Sequence, residues 1–147
     1  MNKWKEVWKK RTLKSSNIDL DSLIKVDGFD QGAGQIKVAD WRMYVQKICA
    51  KLGIEKGSTF FEVGCGAGAF LYAMRERERE RESTPLVGGI DYAEVLINAA
   101  KKAMPDGEFK VMEAKDLDIL PQFDYVIANS VFHYFTLEYA EEVLHRM

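Results

Sequence analysis

The 147 residues carry a net charge of −2, and 47% of them are hydrophobic, which suits one globular domain with a single core. The small acidic excess argues against a general polyanion-binding protein, and no apolar run approaches the roughly 18 residues of a membrane span. The N-terminus lacks the apolar stretch of a signal peptide, and Cys49 and Cys65 lack the spacing of a metal site. These features predict a cytoplasmic protein with reduced thiols, no metal and no membrane contact.

The first 36 residues are predicted to form a helical or lid segment ahead of the main domain. Residues 2–14 combine basic residues with an aromatic face that includes Trp4 and Trp8. Such a helix either docks its tryptophans on the domain or over a cleft, or offers a basic aromatic surface to a membrane or nucleic acid. A second helix over residues 20–26 leads into the glycine-rich residues 27–34, which form either a plain connector or a mobile lid.

Residues 37–147 alternate between helical and strand patterns. Apolar residues at helical spacing predict a helix over residues 38–52, which Gly53 ends. The alternation that follows predicts a parallel α/β sheet. An Arg-Glu repeat over residues 75–82 is predicted to extend one helix into solvent. The predicted strands cover residues 59–63, 86–90, 108–112 and 124–128, and helices follow near residues 68, 93 and 137.

The most informative segment is residues 60–68, where an apolar run and Glu62 lead into three alternate glycines. Glycine allows the backbone to turn sharply and to approach a ligand closely. A strand, a glycine turn and the N-terminus of a helix together are typical of a nucleotide-type site.

Polar residues also follow the other three strands, and ligands bind at the carboxyl ends of strands in such sheets. Asp91 follows strand two, where a carboxylate can accept hydrogen bonds from ribose hydroxyls, and Tyr92 offers a face for a purine. Glu113 follows strand three and could accept a hydrogen bond from an exocyclic amine. Asn129 follows strand four, and Glu62 suits a ligand ammonium group.

These residues resemble the class I S-adenosylmethionine-dependent methyltransferases. Residues 62–68, Glu-x-Gly-x-Gly-x-Gly, look like motif I of that family, and Asp91 matches its ribose-binding acid. Glu113-Ala114 is similar to the acid-Ala step near the adenine. Residues 123–134 resemble the strand-four segment of the small-molecule members. The resemblance runs from about residue 38 to the end of the sequence.

The resemblance implies a Rossmann-like sheet in the order 3-2-1-4 with helices on both faces and a cofactor-binding domain over residues 37–147. The family's sheet normally has seven strands, and this sequence is expected to supply only the first four. It also implies S-adenosylmethionine as cofactor, S-adenosylhomocysteine as product and a small molecule as methyl acceptor. His133 is the candidate general base, with packing at the pocket wall as the alternative. The implied cofactor-binding residues are Glu62, Gly64, Cys65, Gly66, Gly68, Asp91, Tyr92, Glu113, Ala114 and Asn129.

Two other functions stay open. Gly64-x-Gly66-x-x-Ala69 also satisfies the pattern of a domain that binds NAD or FAD. A fragment or scaffold protein with the fold but without activity is the second alternative, because the missing strands contribute to the acceptor pocket in the family. Strand four would then be an exposed edge, which the terminal helix, a homo-oligomer or a partner chain could cover. The acidic balance, and Asn129-Ser130-Val131-Phe132 in place of an Asn/Asp-Pro-Pro-Tyr-type tetrapeptide, argue against a nucleic-acid acceptor.

Overall fold

The computed structural model describes residues 3–13, 16–30, 34–118 and 123–147. Within these residues, four parallel strands form one sheet in the order β3-β2-β1-β4, which confirms the predicted fold and strand order. Every strand end lies within one residue of its predicted position. The strands are β1 Phe60–Val63, β2 Val87–Asp91, β3 Glu108–Val111 and β4 Tyr125–Ile127.

Six helices surround this sheet in the described part of the chain, and short 3-10 helices cover Ala114–Asp116 and Phe132–Tyr134. The first helix is shorter than the predicted residues 2–14. The glycine-rich loop predicted as a connector or lid includes residues 31–33, which lie outside the described residues. The helices are α1 Lys3–Lys9, α2 Leu20–Val26, α3 Val38–Lys51, α4 Ala69–Glu80, α5 Glu94–Ala103 and α6 Leu137–Arg146.

Successive side chains of a strand point to opposite faces of the sheet, and apolar clusters cover both faces here. Phe60 of β1 is fully buried in a cluster that includes residues of α2, α3, α4 and α5. Val63, at the other end of the same strand, packs instead with Ile90 and with Val143 of α6. The three β4 residues are each only half-buried, and the prediction that a second chain covers this strand stays a prediction.

The charged repeat over residues 75–82 is not simply solvated, and that prediction was wrong for two of its residues. Arg75 and Glu78 are 3% and 0% exposed. They lie three positions apart and so share the inner face of α4. Arg75 donates to Asp106 at 2.6 and 2.8 Å, and Glu78 accepts from Arg81 at 2.8 Å. Arg75 is thus paired across the fold and Glu78 within its own helix, which allows this face to pack inward despite its charge.

The N-terminal helices pack onto the main body. All four apolar residues of α2 are buried in the same cluster as α3 and α4, and Trp8 of α1 packs against that cluster. The predicted boundary between residues 36 and 37 stays a prediction. None of the described helices has both the length and the apolar character needed to cross a membrane.

Candidate functional site

A cavity of about 480 Å³ opens at the carboxyl ends of the strands. Its size is in the range of ordinary small-molecule sites. It is largely apolar and aromatic, with carboxylates projecting from several elements. Ten of the eleven residues predicted from the sequence line it: Glu62, Gly64, Cys65, Gly66, Asp91, Tyr92, Glu113, Ala114, Asn129 and His133.

The glycine turn between β1 and α4 forms the floor of the cavity, and each of its glycines has a positive φ. A Cβ at Gly64 would lie 2.5 Å from a Val131 methyl group, so only glycine fits. Gly68 is the predicted residue that does not line the cavity. A Cβ there would lie 2.7 Å from Met104 and 3.5 Å from Ala100 of α5. Gly68 therefore allows the start of α4 to lie close to Ala100 and Met104 at the end of α5.

Glu62 points into the cavity from β1 as a buried and unpaired acid. It is 2% exposed, and its Oε2 has no hydrogen-bond partner within the described residues. Burial, reinforced by the charges of Asp27 and Asp91, raises the pKa of Glu62 well above its usual value. A buried carboxylate of this kind is costly unless a donor or cation pairs with it. The site is therefore suited to a ligand ammonium group.

Asp91 connects the end of β2 to the glycine turn. Its Oδ2 accepts from the Gly66 amide at 3.1 Å, and its Oδ1 accepts from the Ala93 amide at 2.8 Å. Burial raises the pKa of Asp91, and the two amide hydrogen bonds oppose that rise. Each carboxylate oxygen has lone pairs for a second hydrogen bond, so Asp91 can shape the turn and still accept from a ligand hydroxyl.

Asp27, the residue that follows α2 and begins the glycine-rich loop, also lines the cavity, and it was not among the residues predicted from the sequence. Its Oδ1 accepts from the Ala67 amide at 2.6 Å and its Oδ2 from the Ala69 amide at 3.2 Å. Burial raises the pKa of Asp27 to about 7, against the lowering effect of these bonds. Its position just after a short helix is that of an ordinary helix end, so the sequence offers no signal for this long-range contact.

The α1 helix lies over the β2 and β3 side of the cavity. Lys5 pairs with Glu113, and its ammonium group lies 5.4 Å from the centre of the Tyr92 ring. Glu113 also accepts from the Tyr139 hydroxyl at 3.3 Å. Trp4 meets the ring of Tyr134 at 5.3 Å between centroids. This placement confirms that α1 docks over a cleft, and it puts a cation beside the acid predicted to meet an adenine.

The segment after β4 closes the opposite side. Asn129 Oδ1 accepts from the Tyr44 hydroxyl at 2.5 Å, which joins this segment to α3. Ser130 has a φ of +56°, a strained value for a residue other than glycine. His133 is exposed at the cavity edge, with its ring centroid 3.9 Å from that of Tyr134. Its role as a base stays a prediction.

Cys65 lies in the turn without the properties of a nucleophile. Its side chain is buried against Gly89 of β2, where an added Cβ would lie 2.7 Å from the Cys65 Cβ. Burial and the nearby carboxylates raise the pKa of the thiol well above its usual value. A thiol that stays protonated is a packing group rather than a reactive one. No cluster of three metal-ligating side chains occurs in the described ranges.

Comparison with known proteins gives the family and the fold. Residues 61–147 match the family described as methyltransferase domain. No curated protein matches the sequence. Magnesium protoporphyrin IX methyltransferase from Synechocystis, solved with bound S-adenosylmethionine, is 18% identical with a TM-score of 0.57, over 90% of this chain and 72% of that one.

Two further solved structures are similar. Phosphoethanolamine N-methyltransferase 1 from Haemonchus contortus, in complex with phosphoethanolamine and S-adenosylhomocysteine, is 20% identical with a TM-score of 0.67, over 97% of this chain and 28% of that one. A sugar N-methyltransferase from Streptoalloteichus is 17% identical with a TM-score of 0.59, over 82% of this chain and 47% of that one. The chain thus spans less than half the length of several structures that it matches. Because the family match covers more than half of the sequence, the chain belongs to the methyltransferase-domain family, as its resemblance to the class I S-adenosylmethionine-dependent methyltransferases predicted.

Proposed function

We propose that this chain binds S-adenosylmethionine in the cavity and serves methyl transfer to a small-molecule acceptor. The observation that carries the proposal is the unpaired, buried Glu62 carboxylate at the glycine turn, with Asp91 at the neighbouring strand end. The two acids meet the needs of a ligand that carries an ammonium group and ribose hydroxyls. The family assignment favours this function over a domain that binds NAD or FAD.

Each group of residues has a proposed task in binding. Glu62 accepts from the ammonium group of the amino-acid end, and Asp91 accepts from the ribose while it holds Gly66 in place. Tyr92, Glu113 and Ala114 lie on the side of the cavity where the adenine would bind, under α1. Gly64 and Gly66 line the cavity and would approach the amino-acid end of the cofactor through their backbone.

The cofactor supplies a methyl group on a positively charged sulfur, which is the reactive centre. The protein's own contribution is to align the acceptor with that methyl group and to exclude water from the cavity. His133 is placed at the cavity edge, where it could take a proton from an acceptor. The proposal of a small-molecule acceptor is supported by the sugar and phosphoethanolamine enzymes among the similar structures.

A binding domain without turnover is the second candidate, because the chain spans less than half the length of several similar methyltransferases. Cofactor binding and turnover are therefore tested separately. Calorimetric titration with S-adenosylhomocysteine, and with NAD for comparison, tests binding first. An acceptor screen with S-adenosylmethionine then distinguishes an enzyme from a binding domain.

The Glu62→Gln variant tests the observation that carries the proposal. Loss of a hydrogen bond to a charged group costs about 1.5–3 kcal/mol, which is a loss of affinity of roughly 10- to 150-fold. The neutral amide should also leave the melting temperature of the free protein unchanged or higher, because burial disfavours the carboxylate. Affinity equal to that of the wild type would remove Glu62 from the binding site.

A further inference from the structure

The glycine turn is held by a residue from the N-terminal segment. Asp27 lies immediately after α2, and its carboxylate accepts two backbone hydrogen bonds. One comes from the amide of Ala67, just before α4, and the other from the amide of Ala69, the first residue of α4. A Cβ at Gly66 would collide with Asp27 Oδ1. The carboxylate therefore packs directly on the backbone of the turn, from a position 40 residues earlier in the chain.

The turn needs such a partner because it begins a helix. The first amides of a helix have no partner within the helix and carry partial positive charge. A serine or aspartate at the N-cap position usually accepts from them, but α4 has Gly68 there, and no side chain caps it locally. The hydrogen bonds of the amides at the start of α4 are instead accepted by Asp27, from the end of α2.

We propose that Asp27 is a positioning residue that holds the glycine turn in its ligand-binding shape and so makes cofactor binding depend on the docked N-terminal segment. The inference rests on the proposed function in one respect, that the ligand bound at this turn is the cofactor. Asp27 itself acts through the Gly66 to Ala69 backbone.

Electrostatics link Asp27 to the same ligand. Burial raises the pKa of Asp27 to about 7, so near neutral pH a fraction of the molecules hold it protonated. A cationic ligand group in the cavity favours the ionised form, and the ligand should therefore bind more tightly as the pH rises from 6 to 8. The groups that interact electrostatically with Asp27 are Glu62 of β1, the Cys65 thiol of the turn, Asp91 of β2 and Arg11 after α1.

Arg11 lowers the pKa of Asp27 through its charge but forms no hydrogen bond with Asp27, Glu62 or Asp91. Its guanidinium is directed to Asp30 at 3.0 Å and to the Lys25 carbonyl at 3.3 Å. The carboxylates of Asp27, Glu62 and Asp91 therefore face the cavity without a hydrogen-bonded cationic side chain among the described residues, which leaves the ligand to supply the positive charge.

The test compares the two ends of α2 in the full chain. Asp19→Ala removes the N-cap of α2, where Asp19 accepts from Ser22 at 2.9 Å, and does not touch the turn. Asp27→Ala removes the contact with the turn. Titration with S-adenosylhomocysteine should show at least a tenfold weaker affinity for Asp27→Ala and a change within twofold for Asp19→Ala, although both variants lose some thermal stability.

A third variant, Asp27→Asn, separates the charge from the shape of the side chain. Its affinity should rise less between pH 6 and pH 8 than that of the wild type. Wild-type affinity in Asp27→Ala, or an equal loss in Asp19→Ala, would overturn the inference. An equal pH dependence in Asp27→Asn would overturn the electrostatic part.

A readout without ligand keeps the inference separate from the proposed function. If the wild type does not bind S-adenosylhomocysteine, the proposed function fails, and hydrogen exchange then tests the positioning role. The amides of Ala67 and Ala69 should exchange faster in Asp27→Ala than in the wild type or in Asp19→Ala. Unchanged exchange at both amides would refute the positioning role.

Discussion

Replacement of Asp91 by alanine separates the structural and ligand-binding roles of this acid. Asp91 accepts from the amides of Gly66 and Ala93, and both contacts are partly buried. An amide left without a partner in such a place costs about 1–3 kcal/mol. The removal of a buried carboxylate with a raised pKa offsets part of this cost. We expect a net loss of about 2 kcal/mol in the free energy of unfolding.

The expected effect on ligand binding is larger than the effect on stability. For a chain of this size, 2 kcal/mol lowers the melting temperature by roughly 6 °C. The loss of two hydrogen bonds from ribose hydroxyls to a charged group costs about 3 kcal/mol or more, which weakens S-adenosylhomocysteine roughly 150-fold. Asp91→Asn keeps one acceptor oxygen, so its melting temperature should fall by about half as much while its affinity still drops strongly.

The matched control is Asp124→Ala, which lies at the amino ends of the strands, away from the cavity at their carboxyl ends. Asp124 Oδ2 accepts from the Thr59 amide at 2.8 Å and from the Thr59 hydroxyl at 3.1 Å, ahead of β1 and β4. Calorimetry and thermal unfolding should show reduced stability but unchanged affinity in this variant. If Asp91→Ala bound S-adenosylhomocysteine as tightly as Asp124→Ala, the assignment of Asp91 to ribose binding would be refuted.

Two further predictions concern α1 and pH. Lys5→Ala should change stability by less than about 1 kcal/mol in thermal unfolding, because its ion pair with Glu113 is partly exposed; a loss above 2 kcal/mol would contradict this. The pKa of Asp27 is raised from 3.8 to about 7, so its contribution to stability is fully present below about pH 4 and is lost as the pH rises through 7. The melting temperature should therefore decrease less from pH 5 to pH 8 in Asp27→Asn than in the wild type, and equal slopes would exclude this contribution.

Local patterns were enough to predict the framework of this protein. Apolar runs of strand length alternate with helical spacing, and each run ends in a glycine or polar residue, so both the parallel sheet and the carboxyl-end site followed from residues 37–147. Glu62 and Asp91 could be placed at one edge because parallel strands bring their carboxyl ends together. The structure places both acids in the same cavity.

Other features depend on contacts between distant parts of the chain. The charge repeat gave no sign that Arg75 would be buried, because its partner Asp106 lies beyond β2 and α5. Asp27 has the local sequence of an ordinary helix end, and only the packing of α2 against α4 brings it to the glycine turn. The sequence by itself determined which residues could form strands and turns and which acidic residues lie at strand ends, since these features depend on neighbours in the chain. The tertiary structure decided which acids share one low-dielectric cavity and which amides they hold, because burial and pairing depend on residues that are close only after folding.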